Sequence, residues 1–177
     1  MKKLYFSIII SSLLLVLPNS TNAKDSKKLT DPEIASVAVV ANQNDINYAK
    51  IALEKSHNTD IKEFANTMIK DHNSVINQAV ALVKKLSVTP KDNAVSQSLE
   101  KQAKETLNLL KTVDSKKFDK TYIDNEVKYH EAVINAVKSM LIPDSNNPEL
   151  KELLQGVLPV LEIHLKHAQK VQSKLAK

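Results

Sequence analysis

The sequence predicts an all-α protein: a four-helix bundle with a shorter crossover helix, preceded by an export signal. Three observations carry this reading. Apolar residues recur at a spacing of three to four through five successive stretches after residue 30, the period of an amphipathic helix. The breaks between those stretches hold helix-capping and helix-stopping residues: Thr30-Asp31-Pro32, Asn58, Val88-Thr89-Pro90, Asp114, Pro143 and Asn147-Pro148. Gly156 is the only glycine in 177 residues, and tight β-hairpins favour glycine.

The first 23 residues read as a signal peptide. Lys2 and Lys3 form a charged start, Leu4 to Leu17 an apolar run of 14 residues, and Thr21-Asn22-Ala23 a cleavage site with small residues at the outer positions. A membrane span needs about 20 apolar residues, so a retained anchor is the weaker alternative. Residues 24–177 are expected to form one helical-bundle domain in the periplasm or associated with the outer membrane.

The first helix starts at Thr30 or Asp31 with Pro32 in its opening turn and runs to about Ser56 on the stripe Ile34, Val37, Ala41, Tyr48 and Ala52. The short His57-Asn58 link implies an antiparallel return. The second helix, about Thr59 to Ser87, carries Ile61, Phe64, Met68, Val75, Ala79 and Val83. The third, about Asn93 to Lys111, is shorter. The fourth, about Ser115 to Leu141, carries Phe118, Ile123, Val127, Val133 and Val137 and is expected to stop at Pro143. The fifth, from Pro148 to the end, carries Leu150, Leu154, Leu161, Ala168 and Val171, with a kink expected between Gln155 and Pro159. The four long helices span roughly 37 to 43 Å and the third roughly 28 Å. That is long enough to return the chain along the bundle, so that the second and fourth helices run parallel, the one-crossover topology of ferritin-like folds. A simple five-helix array is the alternative.

Composition narrows the function. Without cysteine or tryptophan, and with a single glycine, thiol chemistry, phosphate-cradling loops and nucleophile elbows drop out. The residues after the signal carry a net charge of only +3 and no arginine, so no nucleic-acid partner is expected. Lys166, Lys170 and Lys174 form a row near the C-terminus that suits the helix dipole and offers a weak contact to an anionic envelope membrane surface.

Each long helix turns one polar residue into its apolar stripe: Asp45, His72, His130 and His164. All four fall within about 3 Å of the helix midpoints in axial rise. One carboxylate and three imidazoles converging at one level form a donor set for a transition metal, with Zn, Cu, Fe and Ni all suited to imidazole. Asp71 and Glu126 are candidates to orient the imidazoles. The alternative is a hydrogen-bonded core network in which Asp45, Glu126, Tyr48 or Tyr122 holds the histidines. Glu54 and His57 have a Glu-x-x-His spacing but lie at a helix end, and His167 falls at the edge of its stripe, where exposure is expected.

Four stretches carry a family resemblance: Asp45 to Leu53 (DINYAKIAL), Phe64 to His72 (FANTMIKDH), Phe118 to Tyr122 (FDKTY) with His130, and Leu158 to Leu165 (LPVLEIHL). Together they resemble the secreted bacterial ferritin-like family catalogued as domain of unknown function 4142, often described as predicted outer-membrane protein. The resemblance implies an envelope location and a four-helix bundle, and no established activity. Asp45 stands where the family pattern usually has Glu, one methylene longer. Paired mid-helix Glu-x-x-His motifs are absent, so iron-oxidising catalysis is not expected. A non-enzymatic metal-binding bundle is the leading expectation, and a structural or interaction protein of the envelope the second.

Overall fold

Residues 28–176 are described by a computed structural model; the predicted signal peptide lies outside them. The chain forms α1 (Asp31–Lys55), α2 (Thr59–Lys85), α3 (Ala94–Thr112), α4 (Ser115–Ala136), a π-helical turn (Val137–Leu141), α5 (Ile142–Asp144) and α6 (Pro148–Leu175). Each start has a local cause. The Glu33 carboxylate accepts from the Thr30 N–H and hydroxyl ahead of α1. Asn58, Asn93, Asp114 and Asn147 accept from first-turn N–H groups of α2, α3, α4 and α6, covering donors that have no partner within a helix.

The buried apolar residues fall into two clusters, and these fix the topology. One contains Tyr48 and Ala52 from the end of α1, Ile61 and Phe64 from the start of α2, Leu110 from the end of α3, Phe118 and Tyr122 from the start of α4, and Ala168 and Val171 from the end of α6. The other contains Ile34 and Val37 from the start of α1, Val137 and Leu141 after α4, and Leu150 and Leu154 from the start of α6, with Leu82, Val95 and Leu99 packed against them. Hence α1, α3 and α6 run one way and α2 and α4 the other. The crossover is α3, lying along α1. It is fastened at its end by Lys55, whose ammonium donates to the carbonyls of Leu110, Lys111 and Val113 at 2.8, 2.8 and 3.2 Å. The start of α1 is fastened to the turn before α6: Asp31 accepts from the backbone N–H of Asn146 and Asn147.

Two expectations need correction. Pro143 does not stop the fourth helix. The turn before it widens to a π turn, with Ile142 N–H bonded to the Val137 carbonyl, and the chain stays helical to Asp144. A π turn shifts the carbonyls of the preceding turn, and it is that turn which a proline ring crowds. His167 is half-buried rather than exposed, its ring edge-on to Phe64 at 5.1 Å. Pro159 lies inside α6, which is one helix through it. No helix among the described residues is long and apolar enough to cross a membrane.

Candidate metal centre

Between the two apolar clusters lies a polar layer. It contains Asp45 from α1, His72 from α2, His130 from α4 and His164 from α6, all buried, with Asp45 fully so. Asp45 Oδ2 is 3.3 Å from His72 Nε2 and 3.5 Å from His130 Nε2. The imidazole centroids are 5.8 Å apart for His72–His130, 5.2 Å for His72–His164 and 5.5 Å for His130–His164. One ligating atom from each histidine lies within 4.8 Å of the others, and Asp45, Glu126 and His130 form a second such group. Thus the four residues singled out from the stripes are brought to one place. Glu54 and His57 are exposed at the α1–α2 link, away from it. Lys174 is not a free surface charge: it pairs with Asp60 at 2.6 Å.

The surroundings fix which nitrogen of each ring carries the proton. Asn42 donates through Nδ2 to the Ala38 carbonyl at 2.7 Å, so its Oδ1 is the acceptor that faces His72 Nδ1 at 2.7 Å. His72 therefore carries its proton on Nδ1. His130 Nδ1 is 2.9 Å from the backbone carbonyl of Glu126, which can only accept. His164 Nε2 is 3.0 Å from the Asp71 carboxylate, which likewise accepts. In each neutral imidazole the opposite nitrogen is then a bare lone pair. Among the described residues those atoms, His72 Nε2, His130 Nε2 and His164 Nδ1, have no hydrogen-bonding partner, nor has either oxygen of Asp45. Three ring lone pairs and a carboxylate facing one another are costly to bury without a cation among them.

Electrostatics reinforce this. Burial raises the pKa of Asp45; a protonated His72, by its charge and a hydrogen bond, and then protonated His130 and His164 pull it below the ordinary value, whereas the neutral rings described above do not. Burial lowers the pKa of His130 and, with the neighbouring imidazoles, holds His164 at about 4. Both histidines are thus neutral at pH 7, the form that ligates metal. Burial, then the charge of Asp45, raises the Glu126 pKa well above normal. Its Oε2 is 3.8 Å from His130 Nδ1.

Asp71 lies next to His72 in sequence yet orients His164 across the α2–α6 interface. Asn42 was missed by sequence reasoning. Its only signal is its place one turn before Asp45 on the same side of α1, and a lone asparagine there looks like an ordinary solvent-facing side chain.

The donor types suit a first-row transition metal. Tetrahedral bonds of 2.0–2.1 Å put neighbouring ligand atoms ~3.4 Å apart; the two Asp45–histidine separations match this, while the three histidine atoms lie within 4.8 Å of one another. Asn42, the Glu126 carbonyl and Asp71 occupy the positions of groups that aim metal-bound imidazoles.

No curated protein matches the chain. Among solved structures it is similar to CopM in the Cu(II)-bound form, with a TM-score of 0.63 and 18% identity over 82% of this chain and 98% of that one. That level of identity speaks to the fold, an all-α bundle. The family model described as domain of unknown function (DUF4142) matches residues 17–171, nearly the whole length, and the chain belongs to that family.

Proposed function

We propose that this protein is an exported bundle that binds one transition-metal ion at mid-height, through His72 Nε2, His130 Nε2, His164 Nδ1 and Asp45. The observation that carries the reading is the set of ring contacts: three separate acceptors each face one nitrogen of a ring, which leaves the opposite nitrogens of His72, His130 and His164, and both oxygens of Asp45, without a hydrogen-bond partner among the described residues. A nitrogen-rich, thiolate-free set binds Cu(II) most tightly of the divalent ions, with Zn next to test. A bundle of similar fold, CopM, is known in a Cu(II)-bound form, which also puts Cu(II) first.

A second reading has one observation in its favour. The 3.3 Å between His72 Nε2 and Asp45 Oδ2 also suits a doubly protonated His72 in a buried ion pair, part of a structural network. Metal analysis of untagged protein separates the two. The metal reading expects one ion per chain, lost in the His72→Ala, His164→Ala double variant together with any metal-dependent rise in melting temperature. A double variant that takes up metal like the wild type overturns it.

Export rests on the pattern of residues 1–23. Protein from the envelope fraction should begin near Lys24 on N-terminal sequencing, and a chain starting at Met1 there removes that part of the proposal.

A further inference from the structure

The polar layer is the floor of a chamber. On the side of the layer where α1 begins, the bundle holds a partly open cavity of about 270 Å³, and Asn42, Asp45, His72, His130 and His164 all line it. The rest of the lining is almost wholly aliphatic, including Ala38 of α1, Ala79 and Leu82 of α2, Leu99 of α3, Val133 of α4 and Val157 of α6. Small side chains at Ala38, Ala41 and Ala79 face the space where larger ones would fill it.

An apolar cavity of about 150 Å³ holds a benzene molecule, so this one has room for about ten carbons. The polar end selects the head group. Asp45 is fully buried, both its oxygens lack a hydrogen-bond partner among the described residues, and the bare nitrogens of His72, His130 and His164 stand beside it. All of these accept hydrogen bonds and none donates. A primary ammonium brings three donors and a positive charge. It can pair with Asp45 and place its remaining hydrogens on ring nitrogens, the full satisfaction that a buried ion pair requires. A hydroxyl brings one donor and leaves acceptors bare. A carboxylate adds a negative charge beside Asp45 and donates nothing.

We propose that chamber and polar layer together form a site for a primary aliphatic amine of up to about ten carbons, its tail among the aliphatic side chains and its ammonium on Asp45 and the bare imidazole nitrogens. The same acceptors are those assigned above to metal, so amine and metal exclude each other. The amine site does not depend on the metal reading.

The test is calorimetric titration and thermal melting of metal-free protein with n-alkylamines from butyl to decyl, beside n-octanol and octanoate. Affinity should rise about fourfold per added methylene, the increment for burying one such group, and level off near ten carbons. Octylamine should bind more tightly than octanol, and octanol more tightly than octanoate. Ala79→Phe and Val157→Phe each fill the chamber away from the polar layer. Each should weaken decylamine at least tenfold while leaving metal uptake unchanged; two variants guard against one failing to fold. Saturating Zn²⁺ should weaken octylamine. Affinity independent of chain length, octanol or octanoate binding as well as octylamine, or indifference to both phenylalanines overturns the proposal. Metal uptake without amine binding defeats this inference and leaves the metal site standing; amine binding without metal uptake does the reverse.

Discussion

Asp45 is a single carboxylate on which the whole polar layer turns. It is buried without a hydrogen-bond donor among the described residues, and two imidazole nitrogens stand 3.3 and 3.5 Å from one of its oxygens. With Nδ1 of His72 and of His130 already donating elsewhere, neither neutral ring has a proton to give it. Replacing Asp45 by Asn removes the buried charge and supplies two N–H donors to face the bare nitrogens. Metal-free Asp45→Asn protein is therefore expected to be more stable than wild type by about 1–3 kcal/mol. For a domain of this length that is a melting rise of roughly 2–4 °C per kcal/mol. Stabilisation by added metal should largely disappear in the same variant. If His72 instead carries two protons, the substitution strands a buried cation and the metal-free melting temperature falls. Melting curves with a chelator and with metal decide the sign.

The elements hold this layer in register, and α6 does so with two residues that weaken helices. Gly156 and Pro159 both sit inside the helix that presents His164. Gly156 is exposed, its φ is negative, and a Cβ built on it meets nothing within 4 Å. Gly156→Ala should thus stabilise the protein by about 0.5–1 kcal/mol through helix propensity alone, with metal affinity unchanged; chemical denaturation gives the first quantity and titration the second. At this scale most of the structure was legible in the sequence. Asn58, Asn93, Asp114 and Asn147 mark helix starts because a short polar side chain next to an apolar stripe has one good use there. Pro143 was misleading because a proline's cost depends on whether the preceding turn can widen, and the Val137–Leu141 π turn shows that it can. Nothing in the local sequence signals that adjustment.

At the scale of the molecule, the layer of Asp45, His72, His130 and His164 was legible because stripe and height are both one-dimensional quantities. Asn42, the reach of Asp71 across to His164, and the chamber were not, since tautomers and unfilled volume arise only when four helices are placed together. The layer also makes the stability of the bundle depend on pH. The His164 pKa is held at about 4 by burial and neighbouring imidazoles, against 6.5 for the free side chain. Above pH 6.5 it is neutral whether the chain is folded or not and contributes no pH dependence. As the pH falls below 6.5 the unfolded chain takes up a proton that the folded chain refuses, so stability is lost until the pH reaches about 4. The loss from this residue amounts to roughly 3 kcal/mol. His130 acts in the same direction, its pKa also lowered by burial. Glu126 acts in the opposite one: burial and Asp45 raise its pKa, so its contribution is complete below its unfolded value and declines as the pH rises. The raw pH profile therefore mixes opposing groups, and a difference isolates one of them. Comparison of wild type with His164→Gln, by urea unfolding of metal-free protein at pH 7 and pH 4.5, should show the wild type losing stability relative to the variant on acidification, by up to roughly 3 kcal/mol. Parallel loss in the two proteins means that His164 protonates as readily in the bundle as in water, and its lone pair is then not shielded for a metal in the way the layer requires.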